Sequence, residues 1–91
     1  DDCFVARLGG EEFGVLVPFH AVSQLHQLAE AVRLQIASTP CLQDALTIQI
    51  SASVGVGIAH PRDNVSSVLS RADNALYEAK DKGRNRFVVA A

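Results

Sequence analysis

Residues 7–13 read Arg7-Leu8-Gly9-Gly10-Glu11-Glu12-Phe13. Two adjacent glycines are followed at once by two adjacent carboxylates, and strand-like segments, 3–8 and 13–17, flank them. Glycine takes the positive φ angles that a tight hairpin requires. The run therefore predicts a β-hairpin with an acidic pair just past its turn. A turn without side chains lets backbone come close to a ligand. Consecutive strand residues point to opposite faces, so a regular strand offers one of Glu11 and Glu12 to a site and turns the other to support or solvent. Magnesium is typically held by one or two carboxylates plus substrate phosphates, and a carboxylate beside such a turn suits that chemistry. On these residues alone the run is equally an exposed turn with two incidental acids.

Outward from the hairpin, Pro18 ends the second strand. A helix over residues 21–38 follows, with Val22, Leu25, Leu28, Ala29, Val32 and Ile36 on one apolar face, and Thr39-Pro40 stops it. From Leu46 to Ile58 apolar and small or polar residues alternate, which predicts one long strand with a buried face. Gly55 and Gly57 lie on its other face, where they admit a close neighbour. Asp63 or Asn64 can cap a last helix. Its inward positions are Val65, Val68, Leu69, Ala72, Ala75, Leu76 and Ala79, and Gly83 is its C-terminal stop. Residues 86–90 make a final strand. The order β-β-α-β-α-β predicts an α/β fold, an α+β sandwich with a largely antiparallel central sheet.

The chain has 91 residues and a formal charge of −2. That length holds at most one small domain, and the charge lacks the basic excess of a general nucleic-acid binder. Cys3 and Cys41 have neither disulfide-framework density nor metal-ligand spacing and read as free thiols. His20 and His26 have no evident third ligand partner. No stretch is long and apolar enough to span a bilayer, and none reads as a signal peptide. The segment is expected to make no membrane contact of its own. It opens directly on a strand, as a piece of a larger protein would.

A second constellation lies at 71–85: Arg71-Ala72-Asp73-Asn74-Ala75-Leu76-Tyr77-Glu78-Ala79-Lys80-Asp81-Lys82-Gly83-Arg84-Asn85. Lys80 is one turn before the helix end and Arg84 just past Gly83. Cations there complement the helix dipole and can also grip phosphate, lysine as a point charge and arginine as a planar fork. Asp73 and Tyr77 share a helix face. Arg71 with Asp73, and Glu78 with Lys82, are candidate surface pairs.

Together the two constellations resemble the GGDEF family of diguanylate cyclases. Residues 7–13 match its signature loop in the Gly-Gly-Glu-Glu-Phe form. Ser51-Ala52-Ser53-Val54-Gly55-Val56 resembles its Ser-x-Gly strand, and Arg71 through Asn85 matches its C-terminal signature. The resemblance covers the whole chain but only the C-terminal part of the family's domain.

The resemblance implies a palm-like fold related to nucleotide cyclases, and condensation of two GTP into cyclic di-GMP and two pyrophosphates. By it, Glu11 and Glu12 are catalytic, with Glu11 the metal ligand and Glu12 supporting the site. Gly9 and Gly10 bind substrate through close backbone, Lys80 and Arg84 grip the outer phosphates, and Phe13 anchors in the core. The implied cofactor is Mg2+ or Mn2+. The implied partners are GTP, a second copy in an active homodimer, and an attached sensory or receiver domain, in a cytoplasmic setting. The family's first metal-binding Asp and its guanine-reading Asn and Asp fall upstream of Asp1, so the fragment alone is expected to be inactive. The inhibitory Arg-x-x-Asp of the family would place its Asp at Cys3, so no such site is expected. The alternative reading is a degenerate module that binds GTP or cyclic di-GMP and regulates a neighbouring domain.

Overall fold

A computed structural model describes residues 4–7, 12–19 and 21–90. Among the described residues eight elements follow one another: β1 (Phe4–Arg7), β2 (Phe13–Leu16), α1 (Val22–Ala37), β3 (Cys41–Gln43), β4 (Leu46–Ile48), β5 (Val54–Gly57), α2 (Val65–Asp81) and β6 (Phe87–Ala90). The class is α+β, as the patterning predicts. β1 and β2 pair antiparallel, with Arg7 opposite Phe13 at the turn end and Phe4 opposite Leu16 at the other. Gly9, Gly10 and Glu11, which the hairpin reading places at and beside the turn, lie outside the described residues.

The single strand expected from Leu46 to Ile58 is instead two elements, β4 and β5. β4 folds back on β3, with Cys41 opposite Ile48 and Gln43 opposite Leu46. The intervening Asp44 and Ala45 have φ of 47° and 69°. Two consecutive left-handed residues make the two-residue turn that suits the twist of a hairpin. Alternation assigns side chains to faces, and it does not say which partner each half of a segment bonds.

β5 pairs with β6 in parallel, Val54 with Phe87 through Gly57 with Ala90. The described strands thus form two antiparallel pairs and one parallel pair. Parallel neighbours need a crossover between them, and α2 is that crossover.

α2 lies directly on β5. A Cβ built on Gly55 would strike the Ala72 carbonyl oxygen and the Leu76 amide nitrogen, and one on Gly57 would sit 2.9 Å from the Val68 carbonyl oxygen. Helix and strand meet backbone to backbone, and α2 presents alanines there: Ala75 and Ala79 are among the most buried residues described. Val54 and Val56 alternate to the opposite face, on the same side as Phe87. There His26 of α1 meets Phe87 edge to face, with ring centroids 5.4 Å apart. Leu25 and Ala29 are the buried positions of α1. The β5–β6 pair is therefore sandwiched between the two helices, and the core sits at this point.

Apolar positions far from that pair stay open. Phe13 is 67% exposed, Leu46 66% and Val65 75%. Phe13, which the resemblance places in the core, is exposed in this chain, which spans only part of the domain. Leu28, Val32 and Leu69 are also exposed, so the predicted inward faces of both helices are only partly covered. Among the described residues, no helix is long and apolar enough to cross a membrane.

Candidate functional site

Both ends of α2 are fixed by local chemistry. At its start Asn64 is the cap: its Oδ1 accepts the Ser67 backbone N–H at 2.8 Å, and the Ser67 hydroxyl accepts the Asn64 N–H at 3.1 Å. This reciprocal arrangement satisfies two otherwise orphaned donors. Asp63 does a different job. The Arg71 guanidinium donates to both of its oxygens, at 2.9 and 3.0 Å, and to the Ile58 carbonyl oxygen at 2.6 Å. Arg71 thus ties the helix to the end of β5, and its partner is Asp63, not the expected Asp73. The Arg71 fork, helped by the His60 backbone N–H and the Ser67 hydroxyl, holds the Asp63 carboxyl well below the usual carboxylate range. Glu78 and Lys82 pair at 2.6 Å as expected, on an exposed helix face where such pairs contribute little.

At its end the helix closes with a Schellman motif. The Arg84 N–H donates to the Ala79 carbonyl at 3.0 Å and the Gly83 N–H to the Lys80 carbonyl at 3.4 Å. Gly83 has φ of +119°, as its place past the helix requires, and Arg84 and Asn85 continue left-handed at 64° and 47°.

Between the hairpin and α2 lies a hollow of about 180 Å³, lined by Glu12, Asp73, Leu76, Tyr77 and Lys80. Glu12 comes from the entry to β2. The other four sit at 73, 76, 77 and 80, the three-and-four spacing that shares one helix face. Two carboxylates and an ammonium thus share the lining with Leu76 and Tyr77. Hard carboxylate oxygens suit a hard divalent cation, and the lysine suits a phosphate. That donor set fits a metal-bound phosphate ester.

Of the site residues named from the sequence, Glu12 and Lys80 line this hollow. Arg84 is exposed on the turn past α2 and does not line the hollow; its carbonyl accepts the Arg86 Nε–H at 3.1 Å. Gly9, Gly10 and Glu11 lie outside the described residues. Asp73 and Tyr77 are lining residues to which sequence reasoning gave no site role. Their signal was available in their spacing from Lys80 on one face. Cys41 is a free, exposed thiol.

The family profile described as "Diguanylate cyclase, GGDEF domain" matches residues 1–86. Over 87 residues the chain is 40% identical to the diguanylate cyclase DgcP of Pseudomonas aeruginosa, which is 96% of this chain and 13% of that protein. Among solved structures, the coiled coil and GGDEF domain of DgcB from Caulobacter crescentus, in complex with c-di-GMP, superimposes with a TM-score of 0.84. The identity is 33%, over 97% of this chain and 48% of that one. The active GGEEF domain of a diguanylate cyclase from Vibrio cholerae gives 0.81 at 32% identity, over 100% of this chain and 58% of that one. The chain therefore spans about half the length of these solved structures and a much smaller share of the curated relative.

Proposed function

Since this chain belongs to the diguanylate cyclase GGDEF family, we propose that it forms the triphosphate-holding, C-terminal part of a domain that condenses two GTP into cyclic di-GMP. The observation that carries this reading is the meeting of Glu12 and Lys80 in one hollow, which joins the two signatures in space. Gly9 and Gly10 bring backbone close to the nucleotide. Glu11 holds the cation and Glu12 supports the loop from the hollow's side. Lys80 and Arg84 take the outer phosphates, and the short reach between them is set by the turn at Gly83.

In the reaction each 3′-hydroxyl oxygen bonds to the α-phosphorus of the other GTP. The bond from that phosphorus to the β-phosphate oxygen breaks, and pyrophosphate leaves with the electron pair. In this reading Glu11 takes the hydroxyl proton. A bound magnesium or manganese ion supplies acidification of the hydroxyl and neutralisation of charge on the phosphoryl oxygens. Lys80 and Arg84 stabilise the leaving pyrophosphate, the electrostatic role at which such donors are most effective. Two such sites must face each other, so the active state is a two-fold homodimer. An attached sensory or receiver domain that sets this pairing fits the small share of DgcP that the chain spans. GTP supply places the reaction in the cytoplasm.

The test is Lys80→Ala in the full-length protein. KM for GTP should rise by about tenfold or more, the loss of one charge-assisted phosphate contact. An unchanged KM would overturn the assignment of α2 to the phosphates.

A further inference from the structure

The turn that carries Arg84 is held from outside by residues to which neither signature gives a role. Gly83, Arg84 and Asn85 are three successive residues with positive φ. Glycine and asparagine tolerate this backbone, but at Arg84 it is strained and needs contacts around it to persist. The structure shows them on two sides. From α1, Arg33 Nη1 donates to Asn85 Oδ1 at 2.9 Å. Arg33 is itself aimed by Glu30, one turn before it, through two parallel hydrogen bonds at 2.8 and 2.6 Å. The Arg33 side chain is only 16% exposed, so its fork is pre-set and not a solvent-swept cation. From the residue just before β6, Arg86 Nε donates to the Arg84 carbonyl, and its Nη2 lies 3.0 Å from where a Gly83 Cβ would be.

We propose that Arg33, aimed by Glu30, is a positioning residue that pins Asn85 and thereby sets where Arg84 presents its guanidinium to the substrate phosphates. This rests on the reading of Arg84 as a phosphate ligand. Arg33 acts only through the turn: it binds Asn85, one residue from Arg84. The Glu30–Arg33 unit on α1 and the Schellman turn on α2 are thus one device spanning the two helices.

The test is a double-mutant cycle on the full-length protein. Its readout is the Kd of a non-hydrolysable GTP analogue with magnesium, by calorimetry. Arg33→Met keeps the aliphatic stem and removes the fork. It should weaken binding about tenfold. Asn85→Asp keeps an acceptor for Arg33 and should stay within about threefold of wild type. In an Arg84→Ala background, Arg33→Met should weaken binding less than twofold further, because its effect runs through Arg84. If Arg33→Met melts below the assay temperature, Asn85→Gly removes the acceptor at the exposed end, permits the left-handed backbone and carries the same expectation. Wild-type binding by Arg33→Met or, in its place, by Asn85→Gly, a loss of tenfold or more in Asn85→Asp, or a full tenfold loss added to that of Arg84→Ala, overturns the proposal. Wild-type binding by Arg84→Ala itself overturns the phosphate reading and the proposal with it. A loss in Arg84→Ala alone overturns only the proposal.

Discussion

Gly55→Ala is the sharpest probe of how this fold positions its site. The new Cβ would lie 2.7 Å from Leu76 Cα and closer still to the Ala72 carbonyl oxygen and the Leu76 amide nitrogen. Carbon atoms rest at about 3.5–4.0 Å, so α2 must lift by roughly 1 Å along its middle. No flexible side-chain end is there to yield, because the struck atoms are helix backbone. Overpacking of this kind costs about 3 kcal/mol or more, a large share of the ~5–15 kcal/mol that holds a domain together. Gly57→Ala is the graded comparison. Its Cβ meets Val68 and Ala72 backbone at 2.9 Å, a milder overlap that should cost about 1–3 kcal/mol. Urea unfolding of both variants, followed by circular dichroism at constant m-value, measures the difference. Lifting α2 also moves Leu76 and with it the face that carries Tyr77 and Lys80, so nucleotide affinity should fall alongside stability. If Gly55→Ala unfolds within about 0.5 kcal/mol of wild type, or is the milder of the two, the backbone-to-backbone seating of α2 on β5 is wrong.

Two further outcomes follow from the ends of α2. Asp63 has a folded-state pKa held below its unfolded value of ~3.9, chiefly by Arg71. Its contribution is therefore fully present above that unfolded value and is lost as pH falls through the lowered folded one. Acid unfolding curves should show stability falling from about pH 4 downward, and Asp63→Asn should flatten that part of the curve; an unchanged acid limb would refute the clamp. Asn64→Ala removes the acceptor for the Ser67 N–H and should cost about 1 kcal/mol in thermal or urea unfolding; no loss would mean that the cap is idle.

The parts of the fold that the sequence made legible are those set by local chemistry. Helix bounds followed from periodicity and stops, and the Gly83 terminus from the need for a positive φ. Gly55 and Gly57 were readable as points of close approach because small residues recur on one face of the alternating stretch. The β3–β4 hairpin was not readable, since Asp44 and Ala45 adopt left-handed backbone without the glycine that usually announces it. Nor could periodicity tell that Phe13 and Val65 lie away from the sandwiched β5–β6 pair, because it ranks faces within an element and not distances between elements. At the site, Glu12 and Lys80 were legible as members of two motifs. The bond from Arg33 to Asn85 joins residues 52 apart, and the partner of Arg71 proved to be Asp63 across a loop. Such pairings depend on how α1, α2 and the strands stack, and local spacing carries no record of that.

The proposed function joins residues 9–12 and the end of α2 on one GTP triphosphate. Its most direct test is incubation of the full-length protein with GTP and magnesium, with identification of the nucleotide product, for wild type and Glu11→Gln side by side. Wild type should give cyclic di-GMP with two pyrophosphates per product, and the variant should lose both by at least about a hundredfold. No cyclic di-GMP from wild type, or an undiminished yield from Glu11→Gln, would contradict it.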